Sequence, residues 1–455
     1  MIRTSSPLLQ TDVAERLPGE SPRARPAAPI LALKVLARAL LLAVAHTLSA
    51  PLWLPYLVGV AVWGWPPHVV RLGQVRRYLR LLWTVRPAAP GLPLGIRAWL
   101  SLSVLQKIVI TPYLGLAWFL DEVLYGHALD ATPVTAPLLE ISAGRSGSTQ
   151  LARYLEADPH LVAPSFLQAS FPYLWLWRLA PHTLGRLLSK DQVRQKFETI
   201  LPPDFLERHE GDPFLTDTFD APFYLAHLNH LSPLIAPEVM EADFGFGVIA
   251  PHNRALWEET FVALLDRVAR KTLLHAPPAP DGAPPRFFVK GHFLCAADAL
   301  ERRFPDARFL TIVREPAPRI RSAVNYLHAN PLDEAVGPAP WAWLAAAVTR
   351  SEITYCEREQ VWFSQIDGPR RCVVRFEDYV ADLPGVMAEV YRTCLDTPAL
   401  PDHVPTAHPP RERTHYQVNR TLEQVGIDEV ALNERLASYA LWRRASAEQL
   451  LAETL

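Results

Sequence analysis

Arg286-Phe-Phe-Val-Lys290-Gly-His292-Phe-Leu294, followed after a helical run by Phe309-Leu-Thr-Ile-Val-Arg314-Glu-Pro-Ala-Pro-Arg319-Ile-Arg-Ser322, is the stretch around which the chain is organised. Each half is a short apolar run that ends in polar residues. Parallel sheets present their ligands in this way, at the C-terminal ends of the strands. The first run delivers a lysine and a histidine. The second delivers an arginine and, eight residues on, a serine. An arginine with a hydroxyl on the following helix makes a phosphate clamp. A Lys-X-His at a strand end suits proton transfer next to developing negative charge.

Upstream, a strand at Leu138-Leu-Glu-Ile-Ser142 runs into Ala143-Gly-Arg145-Ser146-Gly147-Ser148-Thr149, and a helix is expected over Gln150–Ala157. Strand, glycine-containing turn and helix is the phosphate-cradle arrangement, with backbone N–H groups and hydroxyls facing the anion. The turn is not the nucleoside-triphosphatase loop GxxxxGK[ST]: its spacing is shorter and Arg145 carries the charge from mid-loop. The later strand ends in Arg314, where such enzymes hold magnesium through an Asp. Downstream, helices are expected near Pro318–Ala329, Trp341–Gln365 and Leu383–Leu395. A third apolar strand, Cys372–Phe376, leads into Glu377-Asp378-Tyr379. Strand–helix alternation of this kind predicts an α/β fold with a parallel sheet flanked by helices.

A length of 455 residues allows one large domain with extensions, or two domains. A net charge of −2 offers no global argument for nucleic acid, and none is expected as a partner. The four cysteines, Cys295, Cys356, Cys372 and Cys394, show no metal-ligand spacing and read as reduced, buried thiols of a cytoplasmic protein. Residues 1–29 read as a disordered tail. Residues 30–137 read as an apolar helical extension, and 138–455 as the main domain with an irregular insertion at 160–285. From Ala39 to Pro67 there is no Asp, Glu, Lys or Arg, with Pro51 and Pro55 set against a continuous helix. A second apolar segment follows at Ala98–Leu120. Three readings fit: a membrane span, helices lying in the membrane interface, or helices packed on the catalytic domain or on a second subunit of a homodimer. Residues 121–137 read as a linker. The insertion is dense in aromatic residues, where an acceptor pocket is expected. There His227 and His230 could share a helix face, and Asp217 and Asp220 could orient a histidine or cap a turn. A closing amphipathic helix is expected over Asp428–Leu450.

Taken together, these motifs resemble the sulfotransferases that use 3′-phosphoadenosine 5′-phosphosulfate (PAPS). The resemblance covers about residues 138–396. It rests on Arg145-Ser-Gly-Ser-Thr149 as the 5′-phosphosulfate loop, Lys290-Gly-His292, the Phe304-Pro-Asp-Ala307 turn of bacterial members, and Phe309–Ser322 as the 3′-phosphate motif. It implies a P-loop-like sulfotransferase fold and PAPS as donor, with PAP as product and no metal. It further implies His292 as general base, assisted by Lys290 and Arg145. Arg145, Ser146, Gly147, Ser148 and Thr149 would hold the 5′-phosphate, and Arg314 and Ser322 the 3′-phosphate. The family's Arg-Lys-Gly tail is missing; Arg411 or Arg413 could serve in its place. Arg145 stands where Lys is frequent, and residues 1–137 have no counterpart in the soluble enzymes. The acceptor would be a small molecule or lipid. An apolar extension contacting the membrane through residues 30–120 would place the protein in the cytoplasm, attached to the inner face of the membrane. Two alternatives are a non-catalytic nucleotide-binding membrane scaffold and an ATP-dependent, kinase-like phosphotransferase.

Overall fold

The computed structural model describes residues 8–10, 13–14, 27–84, 93–200, 211–228, 254–328, 340–408 and 420–452. Its centre is a five-stranded, all-parallel sheet: β1 (Leu138–Ile141), β2 (Leu161–Val162), β3 (Arg286–Gly291), β4 (Arg308–Val313) and β5 (Arg371–Arg375), in the order β2-β3-β1-β4-β5. The register sets Glu140 beside both Lys290 and Leu310, so β1, β3 and β4 end at one edge. The strands are mainly apolar because both faces are covered, with charged residues chiefly at their ends. Alternate residues divide between two cores. Leu139, Ile141, Phe287, Val289 and Phe309 enter one, and Leu138, Phe288, Leu310, Ile312 and Cys372 the other.

The apolar extension comprises α1 (Ala28–Ser49), α2 (Trp53–Trp63), α3 (Leu72–Thr84) and α4 (Leu94–Ala131). Pro51 and Pro55 do not stop the helical path. A 3-10 turn at Ala50–Leu52 joins α1 to α2, and each proline falls in the first residues of a helical segment, where a backbone N–H is not needed. Both apolar helical stretches, Ala28–Trp63 and Leu94–Ala131, are long and apolar enough to cross a membrane. The extension is continuous with the main core: Tyr56, Trp118, Phe119 and Leu129 pack in one cluster with Leu139, Ile141 and Phe287.

The linker expected at 121–137 is helical as far as Ala131. Its acidic residues are tied to partners far along the chain. Asp121 is buried in an ion pair with Lys271 (2.9 Å) and accepts the backbone N–H groups of Leu174 and Trp175. Glu122 pairs with Arg267. Sequence alone shows the charges but not these partners.

The insertion contributes the edge strand β2, two residues long and so without a periodic signal of its own. It also carries α5 (Asp220–Ala226), and Val262–His275 forms α6 against the sheet. The helices at Pro316–His328, Trp341–Gln365 and Leu383–Cys394 lie where the sequence puts them, within two residues at each end. The closing helix is broken in two: Asp428 caps Glu429–Arg435, and Ala437–Ala452 starts after a turn at Leu436. All four cysteines are free and buried.

Candidate active site

The three strand ends meet. From β1 the chain turns through Ser142–Gly147 into the helix Ser148–Glu156. Two residues of this turn have left-handed backbone, Gly147 at φ +95 and Arg145 at φ +67. A side chain at 147 would place its Cβ 2.9 Å from the Phe376 ring as well as in a disfavoured conformation, so glycine is required there. Arg145 bears the same backbone strain without being glycine, as residues at ligand-binding turns often do. The Ser146 hydroxyl is fully buried and has no hydrogen-bond partner among the described residues. Thr149 Oγ1 accepts a hydrogen bond from Lys290 Nζ (2.8 Å), linking the loop to β3.

Lys290-Gly291-His292 is held from the side by the insertion. Phe219 N–H donates to the Lys290 carbonyl (3.0 Å), Lys290 Nζ lies 3.5 Å from Asp217, and His292 N–H donates to Asp220 Oδ1 (2.8 Å). Asp220 thus meets His292 through a hydrogen bond to its backbone. Burial pushes the Asp220 carboxyl up, and His292 nearby draws it back down. Gly291 permits this approach: a Cβ there would stand 2.3 Å from Asp220 Oδ1. The ring of His292 bonds through Nδ1 to the Ser142 carbonyl (2.7 Å). A carbonyl only accepts, so Nδ1 carries the proton and the lone pair of the neutral ring lies at Nε2. That atom faces the loop, 3.8 Å from where a Cβ on Gly144 would be.

Beneath the histidine, Glu140 is buried, and its Oε1 accepts the Ser142 hydroxyl. Burial raises its carboxyl to about 7, against the pull of Lys290.

The β4 end adds a second cation. Arg314 donates to the Arg145 carbonyl (2.9 Å) and lies 4.3 Å over the Phe376 ring. Among the described residues it forms no ion pair with its neighbours Glu315 and Asp306. Glu315 pairs instead with Arg443, which also holds Glu377, and Asp306 accepts the Ala136 N–H. Burial, and Arg145 beside it, hold the Arg314 guanidinium below the usual arginine range. Arg145 Nε donates to Ser322 Oγ (3.0 Å), and its guanidinium stands 5.1 Å over Tyr326. Two buried or half-buried arginines beside a strained loop with an unpartnered hydroxyl form a site suited to phosphate. The residues present therefore fit a phosphate-bearing ligand.

Of the residues singled out by sequence, Arg145, Ser146, Gly147, Ser148, Thr149, Lys290, His292, Arg314 and Ser322 come together here. Arg411 and Arg413 lie outside the described residues, as does His230. His227 is buried and bonds through Nε2 to the Pro67 carbonyl (2.9 Å), and burial lowers its imidazole to about 4, so it serves as a neutral tie to the extension. Among the described residues no group of three or more His, Cys, Asp or Glu is placed to hold a metal ion. Sequence reading did not single out Phe376 or Tyr326. Phe376 follows β5 directly, so its position at a strand end was the available signal.

A family model described as "Sulfotransferase family" matches residues 137–398. Among solved structures, sulfotransferase STF1 from Mycobacterium tuberculosis H37Rv is 18% identical over 84% of this chain and 97% of that one, with a TM-score of 0.54. Sulfotransferase STF9 from Mycobacterium avium is 17% identical over 82% and 96%, with a TM-score of 0.53. At these identities the likeness is one of fold. A match over 84% of 455 residues cannot fit within 138–455, so it reaches into the N-terminal extension. A comparison with curated proteins found no match.

Proposed function

The chain belongs to the sulfotransferase family, and from that premise we propose that it transfers a sulfuryl group from PAPS to a hydroxyl or amine of a small-molecule or lipid acceptor. The observation that carries the reading is the meeting of three separate strand ends: the Arg145 loop, Lys290 with His292, and Arg314 with Ser322. When bound, the donor supplies an activated sulfuryl group whose departure leaves negative charge on a phosphate.

The chain's own residues have assignable roles. His292 takes the acceptor proton at Nε2, since Nδ1 is committed to the Ser142 carbonyl. Lys290, held by Thr149 and Asp217, is already in place to offset the developing negative charge. Arg145 shares this task, and its contact with Ser322 extends its reach toward the 3′-phosphate side. The Ser146, Ser148 and Thr149 hydroxyls and the loop N–H groups hold the 5′-phosphate. Arg314 and Ser322 hold the 3′-phosphate. We place the protein in the cytoplasm, in contact with the inner face of the membrane through residues 30–120, the surface through which a homodimer would otherwise form.

The test is transfer of labelled sulfate from PAPS by the purified protein into lipid extracts, phenols, alcohols and carbohydrates, with ATP and magnesium as a parallel arm. Labelled product formed with PAPS is the expected result. PAP binding without transfer to any acceptor, or phosphoryl transfer from ATP, would overturn the proposal.

A further inference from the structure

The helical path Ala28–Trp63 is almost uncovered along one side. Leu33, Leu40, Leu41 and Leu48 on α1, and Leu54 and Val62 on α2, are each more than 60% exposed. Their spacing places them along one face. The other face lies against α4. Leu31 sits on Gly95, Arg38 donates to Gln106 (2.7 Å) and stacks on Trp99, the Tyr56 ring fills the space over Gly115, and Phe119 fills that over Gly59. Partners advance together along both helices, so the two run parallel and side by side.

This packing limits what the exposed face can enter. The C-terminal half of α4 is part of the catalytic core, through Trp118, Phe119, Leu129 and the buried Asp121–Lys271 pair. Its N-terminal half shares a cluster with α3, which carries Arg76, Arg77 and Arg80. A bundle holding three arginines at this level does not sit in hydrocarbon. The charge points to a different occupant. From residue 21 to residue 120 there are 11 Lys and Arg and no Asp or Glu; −2 overall less +11 leaves −13 on the rest of the chain. The face itself is uncharged from Ala39 to Pro67, and a second copy seated on it would bring together two flanking basic segments that contain no acidic residue. An anionic lipid surface complements both the charge and the apolar stripe.

We propose that the exposed face of α1 and α2 lies in the interface of an anionic lipid membrane without crossing it. This deepens the proposed membrane contact and rests on it. The catalytic domain is thereby held at the surface on which a lipid acceptor would be presented.

The test uses the full chain and flotation with vesicles of phosphatidylcholine alone or with added phosphatidylglycerol. Binding is expected to be about tenfold or more stronger with phosphatidylglycerol, to weaken with salt, and to be released by an alkaline carbonate wash. Leu40→Glu with Val44→Glu, and separately Arg76→Glu with Arg80→Glu, should each remove most of the binding while PAP affinity, measured as a folding control, stays unchanged. Equal binding to both vesicle types, or retention through the carbonate wash, would overturn the interfacial reading while leaving membrane contact standing. Failure to bind any vesicle would overturn both. A dimer lost in Leu40→Glu with Val44→Glu, without vesicle binding, would assign the face to a second copy.

Discussion

Replacing Gly291 with Ala should loosen the strand end that carries the proposed base. The added methyl would stand 2.3 Å from Asp220 Oδ1 and 2.6 Å from the Phe293 ring. Asp220 and Phe293 are both fully buried, so neither can move into solvent. Overpacking of this kind costs ~1–3 kcal/mol. Asp220 is also the acceptor of the His292 N–H at 2.8 Å. Displacing it sacrifices a hydrogen bond to a charged group, worth ~1.5–3 kcal/mol. The sum is a destabilisation of about 2.5–6 kcal/mol. Asp220→Ala removes one of the two clashing groups. In that background Gly291→Ala should cost ~1–3 kcal/mol less than it does alone. Urea unfolding followed by tryptophan fluorescence measures all four corners of the cycle. A Gly291→Ala protein as stable as wild type, or strictly additive substitutions, would refute the close packing of Asp220 on this strand end. If His292 is the base, its displacement should also slow turnover by about a hundredfold.

Arg314→Ala should weaken PAP binding by about 10- to 100-fold, the equivalent of one charge-assisted contact, as read by calorimetry; unchanged affinity would remove Arg314 from the nucleotide site. Glu140 gives a pH signature: burial raises its carboxyl from 4.5 to about 7, so the folded protein binds this proton more tightly than the unfolded chain. Its contribution to stability is therefore fully present below about 4.5 and falls as pH rises to about 7, by ~3 kcal/mol in all. Glu140→Gln should flatten that slope, so that its urea midpoint exceeds wild type at about pH 8 and the gap closes toward about pH 5; parallel profiles would contradict the assignment.

Strands β1, β3, β4 and β5 were legible because strands covered on both faces read as mainly apolar runs. The loop and the Lys-X-His were legible because glycines and charges at strand ends are uncommon without a ligand. The extension was harder. Asp121 and Glu122 looked like the start of a linker, since Lys271 and Arg267, which neutralise them, lie far along the chain. Pro55 looked like a helix stop, and only its place in the first turn of α2 makes it harmless. The clamp on His292 was half visible: Asp217 and Asp220 were singled out as a pair that could orient a histidine. Their actual targets, an ammonium and a backbone N–H, follow from the register between a loop and β3, which no local pattern encodes.

The most direct test of the account is turnover of labelled PAPS by His292→Ala, beside wild type, on whichever acceptor the screen identifies, with PAP affinity measured on the same two proteins. Loss of sulfate transfer with PAP affinity retained is the predicted result, because the role proposed for His292 is to take the acceptor proton and not to hold the nucleotide phosphates. Wild-type turnover in His292→Ala would contradict the assignment of the base.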